Sequence, residues 1–355
     1  MRDSGVEKAL KMLMYSFVHC AFSAFFALLS HKAHLRAKVS MRRFLHAVLP
    51  TLVLLSFAHA EASTDYGLEP IEIAPNTYLF QGRQEHFTTR NGGNIANIAA
   101  ITTQDGVVLI DTGPSKRYGE QLKAALSTIS DQPVVLVLNT HLHPDHFLGN
   151  QAFRETTIAA LRGTIHGIRR DGDGFADNAY QLIGPWMLGT EVTPPNQVLR
   201  PGVREIGGHR LRFLALRGHS DADLAVFDET TGVLFTGDLV FYRRSLTTPH
   251  AHIPAWLQSL DTLQSLPSTL VVPGHGPVHS DNAGIEQTRK HLLWLDAYLK
   301  DAAQQGLDEA EVLYLPLPKW LRALAVGREE YRRSVSHLYG EKERQALSTA
   351  LGSPE

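Results

Sequence analysis

Asn139-Thr140-His141-Leu142-His143-Pro144-Asp145-His146 places three imidazoles and one carboxylate within six residues. Pro144 favours an extended conformation for the preceding residue, so this segment does not predict a helical zinc motif. His141 and His143 then point to the same side of an extended segment, and Asp145 and His146 follow at a turn. One short loop therefore presents side chains to two neighbouring metal positions.

Three more candidate ligands stand at other loops, and they are needed because zinc takes about four ligands per ion. His219 follows the strand-like residues 211–216, Asp238 follows residues 232–235, and His275 follows residues 270–272. Each lies beside a glycine, the setting in which a strand delivers a side chain into a cleft. Together with the first loop, they predict a metal site of seven side chains.

These residues resemble the metal-binding motifs of the metallo-β-lactamase superfamily of hydrolases. The resemblance covers about Glu69 to Leu299 and includes Val108-Leu109-Ile110-Asp111-Thr112-Gly113 ahead of the first metal loop. It implies that one metal is held by His141, His143 and His219, and the other by Asp145, His146 and His275. It also implies that Asp238 bridges the two metals.

Two finer resemblances bear on the substrate. Residues 184–189 and 192–196 resemble the periplasmic zinc enzymes called quinoprotein relay system metallohydrolases. Thr236-Gly237-Asp238 resembles glyoxalase II, a thioester hydrolase of the superfamily. Many β-lactamases of the superfamily have a cysteine, or no ligand, where this chain has Asp238.

Charge excludes nucleic acid as a partner. Residues 1–60 hold eight of the 34 Lys and Arg and two of the 36 Asp and Glu, which leaves 26 basic and 34 acidic residues and a net charge near −8. A domain with this net negative charge does not attract the phosphate backbone of a nucleic acid. We therefore expect a small-molecule substrate.

The first sixty residues read as a targeting region. Met41-Arg42-Arg43 is a basic start, residues 44–57 are mostly apolar, and Ala58-His59-Ala60 is a small-x-small cleavage motif. These features predict a translation start at Met41 and a signal peptide over residues 41–60. We expect residues 61–355 to form one hydrolase domain, periplasmic or secreted, with C-terminal helices from about residue 281.

Strand-like and helical segments predict a mixed α/β (α+β) fold. Residues 94–101, 107–110 and 134–138 read as strands in the first half, and residues 210–216, 224–227 and 233–235 repeat the pattern in the second. Residues 115–129 read as a helix capped by Ser115, and residues 162–188 as a helical insertion. Together with the resemblance, two similar halves imply a four-layer αββα sandwich with the metal cleft along one sheet edge.

Several side chains have two readings each. Residues 82–93, which include Phe87, are either a flap over the metals or an ordinary hairpin loop. Arg243-Arg244 and Arg332-Arg333 are read as solvated surface, with binding of an anionic substrate as the alternative. His250 and His252 are candidates for groups that orient the metal ligands.

The expected activity is that of an exported dinuclear zinc hydrolase. Two divalent ions lower the pKa of a bridging water, so that hydroxide attacks the substrate, and Asp145 accepts the proton. Imidazole and carboxylate suit zinc, although iron or manganese also binds such a set. The substrate is expected to be a small ester, thioester or lactone, and the resemblance implies an association with quinoprotein dehydrogenase systems. The alternatives are a β-lactamase, an iron-dependent sulfur dioxygenase and a non-catalytic periplasmic metal carrier.

Overall fold

Two β-sheets form the centre of the molecule in the computed structural model, which describes residues 64–350. The predicted targeting region, residues 1–60, lies outside the described residues. The first sheet has the order β1 to β7. Its strands are Ile71–Ala74 (β1), Thr77–Phe80 (β2), Ile98–Thr103 (β3), Gly106–Ile110 (β4), Val134–Leu138 (β5), Thr157–Ala160 (β6) and Gln197–Val198 (β7). Strands β1 to β4 pair in antiparallel fashion, and β4 to β7 pair in parallel.

The second sheet has the order β12-β11-β10-β9-β8. Its strands are Gly202–Ile206 (β8), His209–Leu216 (β9), Asp223–Asp228 (β10), Val233–Phe235 (β11) and Leu270–Val272 (β12). Strands β11 and β12 are parallel, and the other pairs are antiparallel. Strands β9, β11 and β12 therefore run in the same direction, so their carboxyl ends lie at one edge of this sheet.

Helices cover the outer faces of both sheets. The first half contributes Lys116–Leu126 (α1), Pro144–Phe147 (α2) and Arg162–Ile183 (α3). The second half contributes Ile253–Gln264 (α4), Ala283–Gln304 (α5), Glu309–Val312 (α6), Lys319–Arg322 (α7) and Gly327–Ala350 (α8). Within residues 64–350, no helix is both long and apolar enough to cross a bilayer.

Side-chain alternation along the strands builds the four layers. In β10, Leu224 and Val226 face the core between the two sheets, whereas Ala225 and Phe227 face helices α4 and α5. Strand β4 alternates in the same way between the central core and the core under α1 and α3. Because successive strand side chains point to opposite faces, both sheets bury two apolar faces. The predicted αββα sandwich is confirmed.

Two local predictions differ in outcome. Helix α1 begins where expected, because the Ser115 hydroxyl accepts a hydrogen bond from the Tyr118 backbone N–H at 3.1 Å. The predicted strand over residues 94–101 is wrong at its start, because β3 begins only at Ile98. The Asn97 side chain instead donates to the carbonyls of Pro273 and Gly276, 2.8 Å from each. Asn97 thereby ties this segment to the loop that carries His275.

Candidate metal centre

All seven predicted ligand residues lie together, in loops that follow the carboxyl ends of four strands. His141 and His143 follow β5, and Asp145 and His146 lie in the short helix α2. The other three residues follow β9, β11 and β12, and they are His219, Asp238 and His275. All seven are buried. The edge where the two sheets meet therefore gathers residues separated by more than a hundred positions in the chain.

The first group comprises His141, His143, His219 and Asp238. The Nδ1 atom of His143 lies 3.0 Å from His141 Nε2 and 2.8 Å from His219 Nε2. Asp238 Oδ2 lies 3.4 Å from His219 Nε2. Three ring nitrogens and one carboxylate oxygen thus converge on a space that could hold one metal ion.

The second group comprises Asp145, His146 and His275. The Nε2 atom of His275 lies 3.3 Å from Asp145 Oδ2 and 3.2 Å from Asp238 Oδ2. The other Asp238 oxygen, Oδ1, lies 3.2 Å from His146 Nε2. Asp238 therefore contacts both groups, which is the arrangement that a bridging ligand requires.

Asp111 and Thr140 fix the ring protons of two histidines. A carboxylate only accepts, so His146 Nδ1, 2.7 Å from Asp111 Oδ2, carries a proton and leaves Nε2 free toward the second group. The Thr140 hydroxyl donates to the same Asp111 oxygen at 2.7 Å, and its own oxygen accepts from His141 Nδ1 at 3.0 Å. His141 Nε2 is likewise left with a lone pair toward the first group.

Two more rings are oriented in the same way. His275 Nδ1 donates to the Ile95 carbonyl at 2.9 Å, and His143 Nε2 lies 2.9 Å from His250 Nδ1. Metal-binding histidines commonly use their second nitrogen like this, and the contact fixes which nitrogen keeps its lone pair. Of the two candidates for this role, His250 has it. His252 instead caps helix α4, where its side chain accepts from the Ala255 backbone N–H at 3.2 Å.

Burial and neighbouring charges set the pKa values of the centre. Burial lowers the pKa of His141 and His143 well below the usual value and that of His219 to about 4, so these rings stay neutral. Burial also opposes the charged form of His146, but the carboxylates led by Asp238 outweigh it and raise its pKa well above the usual value. Without a cation, a proton on His146 balances these carboxylates, and a bound cation would take the place of that proton at Nε2.

The donor set fits a divalent cation. Neutral imidazoles with lone pairs facing inward, together with two carboxylates, are the ligands that zinc prefers. His146 Nε2 and Asp238 Oδ1 are buried and have no hydrogen-bond partner. Buried polar atoms nearly always have partners, and a metal ion at this position would supply them.

Two supporting residues were missed in the sequence. Asp111 was noted only as part of a motif, although its place at the end of a buried strand was a usable signal. Asp223 lies at the start of β10, and its carboxylate accepts from the His219 and Ser220 backbone N–H groups at 3.1 and 3.0 Å. Burial raises the pKa of Asp223 to about 7. Both carboxylates hold ligand loops in place through backbone or ring contacts.

Other predictions need correction. Arg244 is not solvated surface: it is buried, and its Nη2 lies 3.6 Å from Oε1 of Glu330, which is also buried. Phe87 packs against the core under α1 and α3, alongside Trp186. Residues 82–93 connect the paired strands β2 and β3 and carry no strand of their own, and the packing of Phe87 against this core supports the hairpin-loop reading over the flap.

Comparison with known proteins identifies the family. The model described as the metallo-beta-lactamase superfamily matches residues 91–275, more than half of the 355-residue chain. The chain therefore belongs to the metallo-beta-lactamase superfamily. The superfamily that the sequence motifs predicted is confirmed.

Individual relatives are distant. The chain is 23% identical over 282 residues to a linear primary-alkylsulfatase of Pseudomonas sp., a match that covers 67% of this chain and 53% of the relative. It is 27% identical over 224 residues to the acyl-coenzyme A thioesterase MBLAC2 of Bos taurus, covering 58% of this chain and 79% of the relative. The chain spans about half the length of the first curated relatives that it matches.

Solved structures agree on the fold. A metallo-beta-lactamase from Pontibacter korlensis superposes with a TM-score of 0.53 at 23% identity, covering 64% of this chain and 99% of that one. At this identity, the likeness concerns the fold alone.

Proposed function

We propose that the chain is an exported dinuclear zinc hydrolase that acts on a small ester, thioester or lactone-like substrate. The observation that carries the proposal is Asp238, whose carboxylate faces both groups of ligands. Its Oδ2 lies 3.4 Å from His219 Nε2 of the first group and 3.2 Å from His275 Nε2 of the second, and its Oδ1 lies 3.2 Å from His146 Nε2. One carboxylate shared between two sets of histidines favours two metal ions at a short separation. Closely spaced metal pairs are typical of hydrolytic sites.

The residues of the centre have separate roles in metal binding and in proton transfer. The five histidines, Asp145 and Asp238 would hold the ions. Asp111 keeps His146 in the required tautomer directly, and His141 through the Thr140 hydroxyl. Bound zinc supplies Lewis-acid polarisation of the substrate and activation of water. Asp145 is the carboxylate that would accept and hold a proton of the attacking water at one of its oxygens. Its side chain is 10% exposed, against 3% for Asp238, so it is the carboxylate of the centre with better access to solvent.

Three considerations favour ester or thioester substrates. The names of two relatives denote thioester and sulfate-ester cleavage, and the bridging aspartate resembles that of glyoxalase II.

The alternatives are a β-lactamase, an iron-dependent sulfur dioxygenase and a non-catalytic periplasmic metal carrier. A carrier does not require an aspartate between two ligand sets.

Metal analysis and a substrate panel test the proposal. We expect about two zinc ions per chain, and a higher kcat/KM for activated esters, thioesters or lactones than for penicillins and carbapenems. Chelation should abolish activity, and added zinc should restore it. Asp238→Ala should lower both metal content and turnover, whereas Asp177→Ala, which removes an exposed carboxylate on α3, should change neither. A single bound iron would favour the dioxygenase, and a carbapenem as best substrate by about a hundredfold, roughly 2.7 kcal/mol, would favour the lactamase.

Export and the dehydrogenase association belong to the same proposal. The motif Ala58-His59-Ala60 supports a mature protein that begins near Glu61, and the resemblance of residues 184–196 supports work beside quinoprotein dehydrogenases. N-terminal sequencing of protein recovered from the periplasm checks the first point. An intact Met1 terminus in the membrane fraction would contradict it.

A further inference from the structure

His219 differs from the other four histidines of the centre in the surroundings of its second ring nitrogen. In those four, a polar oxygen or nitrogen atom lies 2.7 to 3.0 Å from that nitrogen. His219 directs Nε2 at the first group, 2.8 Å from His143 Nδ1 and 3.4 Å from Asp238 Oδ2. Its Nδ1 is buried and has no hydrogen-bond partner within residues 64–350. The His219 ring is therefore held by contacts other than a hydrogen bond to a polar group.

Two buried aromatic side chains pack against the His219 ring. The centroid of the Trp256 ring lies 5.1 Å from that of His219, with an angle of 73° between the ring planes. The Phe241 ring lies 5.9 Å away and is inclined by 54°. Both aromatic residues are at most 1% exposed. At an angle near 90°, the edge of one ring faces the π face of the other. Trp256 thus meets His219 in an edge-to-face contact.

The backbone fixes Trp256 in this place, in the first turn of helix α4. Its N–H donates to the His252 carbonyl at 3.0 Å, and the His252 N–H donates to the Gly218 carbonyl at 2.8 Å. Gly218 has a φ of +134°, and a Cβ added there would lie 2.2 Å from the Trp256 Cα. A side chain at position 218 would therefore push the helix away from the loop. Glycine before His219 is what lets Trp256 approach this ligand.

Trp256 also contacts the loop of the bridging aspartate. Its indole N–H donates to the Leu239 carbonyl at 2.9 Å, and Leu239 directly follows Asp238. The indole N–H is thereby occupied, so the remaining contact that Trp256 offers to His219 is its ring. One side chain thus touches the loops that carry two of the four residues of the first group.

We infer that Trp256 is a positioning residue of the metal centre, whose indole ring receives the His219 Nδ1–H on its π face and so keeps the Nε2 lone pair directed at the first group. N–H groups form weak hydrogen bonds with aromatic faces. A histidine that binds a metal through Nε2 carries its proton on Nδ1, and the contact of that proton orients the ring. The inference rests on the proposed function, because it assumes that the first group holds a metal ion.

Nuclear magnetic resonance of the histidine rings tests this contact in the zinc-loaded wild-type protein. A proton above an aromatic face is shielded by the ring current. The Nδ1 proton of His219 should therefore resonate at a lower frequency than that of His146, which contacts a carboxylate at 2.7 Å. It should also show a nuclear Overhauser effect to the Trp256 ring protons. Equal frequencies for the two protons would indicate a polar partner such as water and would overturn the inference.

Replacements of Trp256 test its role in metal binding, measured as zinc affinity by competition with a chelator. Trp256→Leu should weaken zinc binding about tenfold or more, as loss of an orienting partner typically does. Trp256→Phe keeps an aromatic face and loses the indole N–H, so its zinc affinity should stay within about threefold of the wild type.

The matched control is Trp186→Leu. Trp186 is also buried, and its indole N–H likewise donates to a backbone carbonyl, that of Thr89, at 2.8 Å. It packs in the core under α1 and α3. Trp186→Leu should lower folding stability by creating a cavity, but it should leave zinc affinity within about twofold of the wild type, because distant sites rarely couple.

The outcomes separate this inference from the proposed function. Equal losses of zinc affinity in Trp256→Leu and Trp186→Leu would indicate a general effect of core packing and would overturn the inference. Equal losses in Trp256→Leu and Trp256→Phe would also overturn it, because the Leu239 contact and not the ring would then matter. If zinc binding follows the expected pattern but no ester, thioester or lactone is hydrolysed, the proposed function fails and the role of Trp256 stands. If hydrolysis occurs and Trp256→Leu binds zinc like the wild type, the hydrolase stands and the inference fails.

Discussion

Replacing Asp111 by asparagine should weaken metal binding with little change in backbone conformation. Asp111 has a positive φ of 61°, a region that asparagine tolerates better than most residues. One of its oxygens accepts from the Thr140 backbone N–H at 2.8 Å, and an amide oxygen can keep that contact. The other accepts from His146 and from the Thr140 hydroxyl, both at 2.7 Å. An amide NH2 at this second position turns an acceptor into a donor.

The expected magnitude follows from the tautomers. With a donor facing its Nδ1, His146 must move its proton to Nε2, the nitrogen that faces Asp238. Thr140 loses its acceptor as well, so His141 is no longer held with its Nε2 lone pair facing inward. Loss of such an orienting group typically costs about 10- to 100-fold in metal affinity, or about 1.4 to 2.7 kcal/mol. We expect a loss in this range, because one residue orients ligands of both groups.

Zinc affinity can be measured by competition with a chelator of known strength. Asp228→Asn is the matched control: Asp228 is also buried, and its carboxylate lies 2.8 Å from His209 Nδ1, with no contact to the metal centre. Both variants should lose folding stability, but only Asp111→Asn should lose zinc affinity. An Asp111→Asn affinity within about twofold of the wild type would refute the tautomer argument, as would an equal loss in Asp228→Asn.

Two further predictions concern stability in the metal-free protein. Glu330→Ala should lower the free energy of unfolding by about 3 to 5 kcal/mol, because it leaves the buried Arg244 guanidinium unpaired. Arg333→Ala, whose side chain is 50% exposed, should cost less than about 1 kcal/mol. Chemical denaturation checks both, and equal effects would contradict the buried-pair argument. Burial lowers the pKa of His291 to about 3, so its neutral ring contributes stability that is complete above about pH 6.5 and is lost as the pH falls toward 3. When the pH falls from 7 to 4.5, the unfolding free energy should therefore decrease by about 2 kcal/mol less in His291→Leu than in the wild type. An equal decrease in both proteins would refute this assignment.

The sequence by itself determined the seven ligand candidates, and together with the resemblance that its motifs carry it predicted the four layers. The apolar runs of β4 and β10 were readable as buried strands, because a strand whose two faces are both covered is apolar at nearly every position. The loop His141-Leu142-His143-Pro144-Asp145-His146 was readable because its chemistry lies in consecutive residues. Local turn chemistry marked the remaining ligands, each beside a glycine. These signals lie in consecutive residues, so they can be recognised without knowledge of the fold.

Tertiary structure alone decided which side chains touch the ligands. Asp111 reaches His146 across 35 positions, and His143 reaches His250 across 107. The sequence predicted Arg243-Arg244 to be surface residues, but Arg244 is buried. Its charge is balanced there by Glu330 on helix α8, which lies 3.6 Å away. The pairing of two sheets and the docking of helices set these distances through many weak long-range contacts. Such contacts leave no pattern in adjacent residues. The candidate ligands could therefore be picked out in the sequence, whereas most of the residues that contact them could not.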